Sequence, residues 1–205
     1  MPINKIFSSL IRTRMSGVNF MRDKPIQAQN IVFKELATSL NKTQYASDHN
    51  LGGLSSVISE NNFKSHIPIR TYDEIKPWIE RAREGEEDVL WPGKVSWFAK
   101  TSGTTSDRSK ILPVTKDSLK SNHYKGGRDL LAMFCDLKSE ARLYTGKHLI
   151  IGGSSTLHPT RKGSYTGDLS AIIIRNLPFW VESRRTPGRD ITMLEDWEQK
   201  IELMA

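Results

Sequence analysis

The chain has 205 residues and a net charge of +7, from 30 lysines and arginines against 23 acidic residues. Hydrophobic residues make up 37% and the mean hydropathy is −0.47, which is typical of a globular protein and excludes disordered or fibrous classes. No stretch approaches the roughly 18 consecutive apolar residues of a membrane-spanning helix, and the single cysteine, Cys135, excludes a disulfide framework. We therefore expect a cytoplasmic protein without a membrane partner.

The positive charge is spread evenly along the chain. Residues 1–100 carry 14 basic and 11 acidic side chains, and residues 101–205 carry 16 and 12. Because no run of lysines and arginines is longer than two, the sequence favours a solvated mixed-charge surface over a nucleic-acid partner. A nucleic-acid binder remains an alternative, and its affinity would fall steeply with salt.

The first 22 residues contain no acidic residue and place apolar side chains on one face of a predicted helix. These side chains are Ile3, Ile6, Phe7, Leu10 and Ile11. This composition is shared by N-terminal helices that dock on a core and by organelle transit peptides. We favour docking on a core.

Two further helices are marked by their first turns. Pro25 predicts a helix that runs to about Leu40, and Thr71 with Glu74 forms a capping box for a helix from about Asp73 to Arg83, which Gly85 ends. The side chains expected to be buried by these helices are Ile31, Phe33, Leu36, Ala37 and Leu40 in one, and Ile75, Trp78, Ile79 and Ala82 in the other. A short helix is predicted over Leu54–Asn61.

Strand signals begin after residue 90. The β-branched and aromatic segment Val95–Ala99 predicts a strand, followed by a hydroxyl-rich loop and a short extended piece, Ile111–Val114. Four more elements are then predicted: a helix from Thr115 to about Phe134, a strand over Lys147–Gly152 covered on both faces, a buried helix over Gly167–Leu177, and a C-terminal amphipathic helix whose inward stripe is Leu194, Trp197, Ile201 and Met204.

This order predicts an α/β fold with an α-rich front. We expect an N-terminal helical segment, residues 1–92, and the first part of an α/β domain, residues 93–205. Few core strands are predicted, and the last predicted helix has no capping glycine. We therefore expect the chain to be the front part of a longer protein.

The loop after the first predicted strand has the composition of an anion site. Five hydroxyl side chains surround Gly103, and Arg108 and Lys110 follow within a few residues. Glycine allows a sharp turn in which backbone N–H groups converge on an anion, and the cations can neutralise phosphate charge. The spacing matches neither a Walker A loop nor a dinucleotide-binding loop, so on composition alone a surface turn is the more common interpretation.

The loop also carries a family resemblance. TSGTTSDRSK, residues 101–110, with the Leu-Pro-Val-Thr that ends at Thr115, resembles the first nucleotide-binding motif of the Gretchen Hagen 3 (auxin-responsive promoter) family of acyl acid–amido synthetases. These enzymes belong to the adenylate-forming superfamily. Further similar segments are FKSHIPIRTY at 63–72, GEEDVLWPG at 85–93, HYKGG at 123–127, GDLS at 167–170 and NLPFW at 176–180. The resemblance covers residues 27–205 and is closest to the bacterial branch.

The resemblance implies an ATP-dependent ligase. A carboxylic acid would attack the α-phosphate of Mg-ATP, and an amino acid would then displace AMP to form an amide. The residues implied to bind the β- and γ-phosphates are Thr101, Ser102, Gly103, Thr104, Thr105 and Ser106. Lys110 would assist catalysis as a point charge. ATP and Mg²⁺ are the implied cofactors, and no residue here is assigned to the metal.

Two features of the sequence depart from this family pattern. Relatives often have a glycine pair where this chain has Ser106 and Asp107, which puts a carboxylate close to the phosphates. The motifs that hold adenine, ribose and metal lie C-terminal to this span in relatives, so we expect this stretch alone to be inactive. The alternatives are a non-catalytic module that binds nucleotide or a partner, and a ligase that forms a thioester.

Other reactive residue types carry weaker hypotheses. The five histidines show no zinc-ligand spacing, and His123 is a possible general base, whereas His148 is expected in a buried strand. Cys135 is expected to be inert packing. The arginines at 184, 185 and 189 are expected in a loop, in solvent or at a phosphate.

Overall fold

Among the residues that the structure describes, helices dominate up to residue 83, and the first strand begins at Trp97. The computed structural model describes residues 2–51, 60–101, 109–140, 142–150, 157–160, 162–192 and 194–204. The helices before the first strand are α1 (Pro2–Arg12), α2 (Met15–Asp23), α3 (Pro25–Leu40), α4 (Gln44–Asp48), α5 (Glu60–His66) and α6 (Tyr72–Arg83). Most of the short helix predicted over Leu54–Asn61 lies outside the described residues.

Short strands and helices alternate in the rest of the chain. They are β1 (Trp97–Lys100), β2 (Ile111–Val114), α7 (Lys116–Ser118), a π-helical turn (Leu119–His123), α8 (Tyr124–Leu137), β3 (His148–Leu149), β4 (His158–Pro159), β5 (Tyr165–Gly167), α9 (Leu169–Arg175), α10 (Phe179–Glu182), β6 (Arg185–Thr186), α11 (Arg189–Thr192) and α12 (Trp197–Glu202). One sheet has the order β2-β1-β5-β4, and β3 pairs with β6 in parallel. The predicted α/β class with an α-rich front is confirmed.

The segments pack as two units, which we name separately. The hairpin unit comprises residues 24–115 and 158–166, and the flanking unit comprises residues 1–23, 116–157 and 167–205. Packing within a unit does not define a domain boundary, so the division into 1–92 and 93–205 stays a prediction.

The helix ends in the hairpin unit follow the local signals. Pro25 occupies the first turn of α3, and both halves of the capping box at α6 form, with Glu74 accepting from the Thr71 N–H at 2.7 Å. Gly85 adopts a φ of +91° just beyond α6, in the left-handed region that glycine tolerates. These predicted ends are confirmed.

The core of the hairpin unit lies between α6 and the sheet. Its buried side chains are Ile79, Ala82, Val89, Val95 and Phe98, with Ile75 and Trp78 packed against them. The inward face predicted for α6 is therefore confirmed. The face predicted for α3 is confirmed in part: Ala37 is buried and Phe33 and Leu40 are partly buried. Ile31 and Leu36, each 50% exposed, were predicted wrongly.

The first helix of the flanking unit buries its polar side. Asn4 and Ser8 are buried, whereas Ile6 and Leu10 are 56% and 62% exposed. The Asn4 amide accepts from the Tyr144 N–H at 3.1 Å and donates to the Thr145 hydroxyl at 3.4 Å. The expectation that the apolar face of α1 docks on a core is thus wrong for most of that face, because a paired amide and a small serine occupy the contact instead.

Several predictions for the second half of the flanking unit also need correction. The described part of the strand predicted over Lys147–Gly152 is β3, and its two residues, His148 and Leu149, are exposed and not covered on both faces. The C-terminal helix buries Lys200, while Trp197 and Ile201 are 45% and 60% exposed, so the predicted inward stripe is wrong there. The buried helix predicted over Gly167–Leu177 is confirmed, since α9 buries Ala171, Ile172 and Ile174.

Candidate nucleotide-binding hairpin

The hydroxyl-rich loop connects β1 and β2, which form an antiparallel hairpin. The register places Lys100 opposite Ile111 and Trp97 opposite Val114. Of the predicted phosphate-binding residues, Ser102, Gly103, Thr104, Thr105 and Ser106 lie outside the described residues. Thr101 and Lys110 are described, and they are the residues that enter and leave the loop.

Thr101 and Lys110 close the base of the loop on each other. The Thr101 N–H donates to the Lys110 carbonyl at 2.9 Å, and the Lys110 N–H donates to the Thr101 hydroxyl at 3.0 Å. The Thr101 hydroxyl oxygen thus accepts the hydrogen bond that the Thr101 carbonyl would accept in a regular antiparallel ladder. This arrangement holds both ends of the loop together and fixes the position from which the Lys110 side chain extends.

The Lys110 side chain is exposed and carries its charge beside an aromatic ring. Its Nζ lies 5.5 Å from the centroid of the Tyr72 ring, within the range of a cation–π contact. Tyr72 is half-buried in the first turn of α6 and packs against the apolar cluster of the hairpin unit. A cation therefore stands at the base of the loop, accessible to an anionic ligand.

The Tyr72 hydroxyl also reaches the hairpin backbone. It accepts from the Ile111 N–H at 2.9 Å and lies 3.4 Å from the Ile111 carbonyl oxygen. Sequence reasoning did not assign Tyr72 to the site, although it ends one of the similar segments at 63–72. No local pattern could have linked it to the hairpin, since the two contacting residues are 39 positions apart.

The helix after the hairpin begins with irregular geometry. A π-helical turn over Leu119–His123 separates α7 from α8, and such turns are frequent at functional sites. Burial raises the pKa of the Tyr124 phenol above its usual value, so the hydroxyl keeps its proton and donates to the Ile173 carbonyl at 3.1 Å. These residues belong to the segment HYKGG, to which the resemblance assigned no single contact.

Three of the remaining candidate residues are Cys135, His148 and Arg185. Cys135 is fully buried on α8, as expected of inert packing. His148 is exposed, which corrects its predicted place in a buried strand. Arg185 is buried and donates two hydrogen bonds to Glu182, at 3.0 and 2.6 Å, so it is not free to meet a phosphate. Within the described ranges, no group of three His, Cys, Asp or Glu side chains has the arrangement of a metal site.

A search of the described helices for membrane spans found none long and apolar enough to cross a bilayer.

Comparisons with known proteins agree on one family. Residues 14–205 match the model of the GH3 family N-terminal domain. Over 100 residues the chain is 30% identical to the indole-3-acetic acid-amido synthetase GH3.2 of Arabidopsis thaliana, a match that covers 48% of this chain and 18% of that protein. Over 130 residues it is 26% identical to the jasmonoyl–L-amino acid synthetase JAR6 of Nicotiana attenuata, which covers 63% of this chain and 22% of that protein.

Solved structures show the same fold. The structure titled GH3.15 acyl acid amido synthetase superimposes with a TM-score of 0.72 at 21% identity, over 93% of this chain and 32% of that one. A second, titled AtGH3.15 acyl acid amido synthetase in complex with 2,4-DB, gives a TM-score of 0.56 at 20% identity, over 80% and 29%. The matches thus span between about a fifth and a third of these relatives. The family match extends over nearly the whole sequence, and the chain belongs to the GH3 family.

Proposed function

We propose that this chain is the N-terminal part of an ATP-dependent ligase that activates a carboxylic acid as its acyl-adenylate and then transfers the acyl group to an amino acid. The observation that carries the proposal is the hairpin base, where an accessible lysine stands beside a hydroxyl-rich loop in a chain of the GH3 family. Two of the similar proteins are named as an indole-3-acetic acid-amido synthetase and a jasmonoyl–L-amino acid synthetase.

Formation of the acyl-adenylate requires that the carboxylate and ATP be positioned and that the charge of the phosphates be neutralised. In the first step the carboxylate oxygen bonds to the α-phosphorus as the bond to the bridging oxygen breaks, and pyrophosphate leaves with the electron pair. The loop from Thr101 to Ser106 would bind the β- and γ-phosphates, and the Lys110 ammonium would offset the charge that grows on the leaving group. The side chain of Lys110 is exposed, so its ammonium is accessible to a polyphosphate bound at the loop.

Magnesium is expected to arrive with the nucleotide. The ion prefers phosphate oxygens and water and is usually held by few protein carboxylates. No residue of this chain is proposed as a metal ligand.

In the second step the neutral amine nitrogen of an amino acid attacks the acyl carbonyl, AMP leaves with the electron pair of the broken bond, and the nitrogen releases a proton to solvent. An acyl-CoA ligase would share the first step and differ only in its nucleophile, a thiol. The two ligases are separated by their products, an amide or a thioester.

The test is acid-dependent exchange between ATP and labelled pyrophosphate, run on the intact encoded protein with a panel of aryl and aliphatic acids. Lys110→Ala is expected to lower the exchange rate about tenfold or more, because a charge-assisted contact to the leaving group is lost. Lys76→Ala removes the same charge from an exposed position on α6 and should leave the rate unchanged.

The outcomes separate the candidates. Exchange with an active acid, followed by amide formation with an amino acid, supports the proposal. ATP binding without exchange for any acid would favour a non-catalytic nucleotide-binding module. Exchange that leads to a thioester with coenzyme A, and to no amide, would favour the thioester ligase. Equal exchange rates for Lys110→Ala and wild type would remove Lys110 from the mechanism.

A further inference from the structure

We propose that Tyr72 is a positioning residue for nucleotide binding, which acts by holding the Lys110 ammonium at the base of the loop. The inference rests on the proposed nucleotide function of the hairpin and adds a residue from a different element, α6. Tyr72 contacts Lys110 through its ring and the neighbouring Ile111 through its hydroxyl.

The hydroxyl contact follows from the hairpin register. β2 is the edge strand of its sheet. Since Thr101 and Lys110 form a hydrogen-bonded pair, the next pair, Lys100 and Ile111, is non-hydrogen-bonded, and the N–H and C=O of Ile111 point away from β1. The Tyr72 hydroxyl lies 2.9 Å from that nitrogen and 3.4 Å from that oxygen. One side chain thereby satisfies both outward groups of the residue next to Lys110.

The ring contact restricts the lysine side chain. An exposed lysine loses side-chain entropy when a ligand orders it. The ring, 5.5 Å from Nζ, favours the rotamers that keep the ammonium beside the hairpin before any ligand arrives. A polyphosphate would then meet a cation that is already partly ordered, which lowers the entropic cost of binding.

Tyr72 is itself held by a rigid element. It is the first residue of α6, directly after Thr71, whose side chain and backbone close the capping box with Glu74. Its ring packs with Ile111 against the buried cluster around Phe98. Because Tyr72 is fixed at the start of α6, its ring restricts the Lys110 side chain, which is otherwise exposed to solvent.

The experiment is a double-mutant cycle on ATP affinity, measured by calorimetry with wild type, Tyr72→Leu, Lys110→Ala and the double variant. Tyr72→Leu is expected to weaken ATP binding about two- to fivefold, the size of an exposed cation–π contact. In the Lys110→Ala background the same change should have no further effect, because Tyr72 acts through the lysine. Tyr144→Leu, at a half-buried ring in the flanking unit, is the matched control and should leave ATP affinity unchanged.

A tyrosine that serves only the fold would give additive losses in the cycle, and additivity would overturn the inference while leaving the proposed function in place. If wild type binds no ATP, the proposed function fails and the inference falls with it. If Tyr72→Leu does not fold, Tyr72→Phe replaces it in the cycle. That variant keeps the ring and removes only the hydroxyl, so it should speed hydrogen exchange at the Ile111 amide, and any weakening of ATP binding should occur only where Lys110 is present. An unchanged amide or a loss without Lys110 would contradict the inference.

Discussion

The hairpin unit buries an almost wholly apolar interior, whereas the flanking unit buries several polar and charged side chains. Among the described residues, the buried polar side chains of the flanking unit are Asn4, Ser8, Arg185, Thr192 and Lys200, and those of the hairpin unit are Thr43 and Ser164. In the flanking unit, burial is achieved by pairing: the Arg185 guanidinium bonds to Glu182 and to the Thr192 hydroxyl.

This difference separates two sources of stability. The stability that buried apolar surface contributes depends little on pH or salt. The free energy of unfolding that is lost when such a side chain is truncated grows with the size of the cavity left behind. A buried ion pair is stable only while both partners are charged, and removal of one partner leaves an uncompensated charge. The hairpin unit should therefore respond to changes in side-chain volume, and the flanking unit to changes in protonation.

The largest effect is expected at the centre of the apolar cluster. Phe98→Ala should lower the free energy of unfolding by about 3–5 kcal/mol, since Phe98 is fully buried and its ring leaves a cavity. Denaturant unfolding at pH 7 and pH 4 measures the loss, which should be similar at both. Leu112→Ala, on the neighbouring strand at 44% exposure, is the control and should cost much less. If Phe98→Ala lowers the free energy of unfolding by no more than Leu112→Ala does, apolar burial is not the main source of stability in the hairpin unit.

The next effect tests the flanking unit. Glu182→Ala should cost about 3 kcal/mol at pH 7, because the fully buried Arg185 side chain loses its carboxylate. Hydrogen bonds from Arg185, together with the charges of Arg185 and Arg189, hold the pKa of Glu182 below its usual value despite partial burial. Such a group stabilises the fold above its unfolded pKa, about 4.3, and loses that contribution as the pH falls through the folded pKa.

The difference in unfolding free energy between wild type and Glu182→Ala should therefore shrink below about pH 4. Glu202→Gln, at an exposed carboxylate on α12, should show little difference at any pH. A gap at Glu182 that stays constant from pH 7 to pH 3 would show that packing, and not the ion pair, carries the effect.

The smallest effect concerns a helix end in the hairpin unit. Thr71→Ala removes the side-chain acceptor of the capping box and should lower the free energy of unfolding by about 1 kcal/mol. Thr38→Ala, whose hydroxyl only donates to the Lys34 carbonyl within α3, should change stability by much less. Thermal unfolding of the two variants makes the comparison, and equal losses would mean that the cap contributes nothing specific.

The sequence was most informative where the signal is local. Pro25, the capping box at Thr71 and the turn at Gly85 act through bonds within a few residues of themselves, so their places in helices could be predicted. The strands on either side of the hydroxyl-rich loop were also placed correctly, and this located Thr101 and Lys110 at the ends of the loop.

The sequence was least informative about which face of an element meets a neighbour. The periodicity of α1 predicted that Ile6 and Leu10 would be buried, but Asn4 and Ser8 make the contact instead. At α12 the apolar stripe predicted burial of Ile201, and Lys200 is the residue inside. An amphipathic pattern describes a helix by itself, whereas burial depends on what the opposite surface offers.

By its sequence alone, the chain determined the starts of α3 and α6, the two strands on either side of the loop, its α/β class and the residue types of the loop, because these depend on backbone preferences and short-range hydrogen bonds. Only the tertiary structure decided that Tyr72 lies beside Lys110 and that Arg185 is enclosed with Glu182 and Thr192. The first contact joins residues far apart in sequence, and the second, although it lies within residues 182–192, depends on the burial of the Arg185 side chain. Long-range contacts and burial arise when whole elements pack together, so they cannot be predicted from a short stretch of sequence.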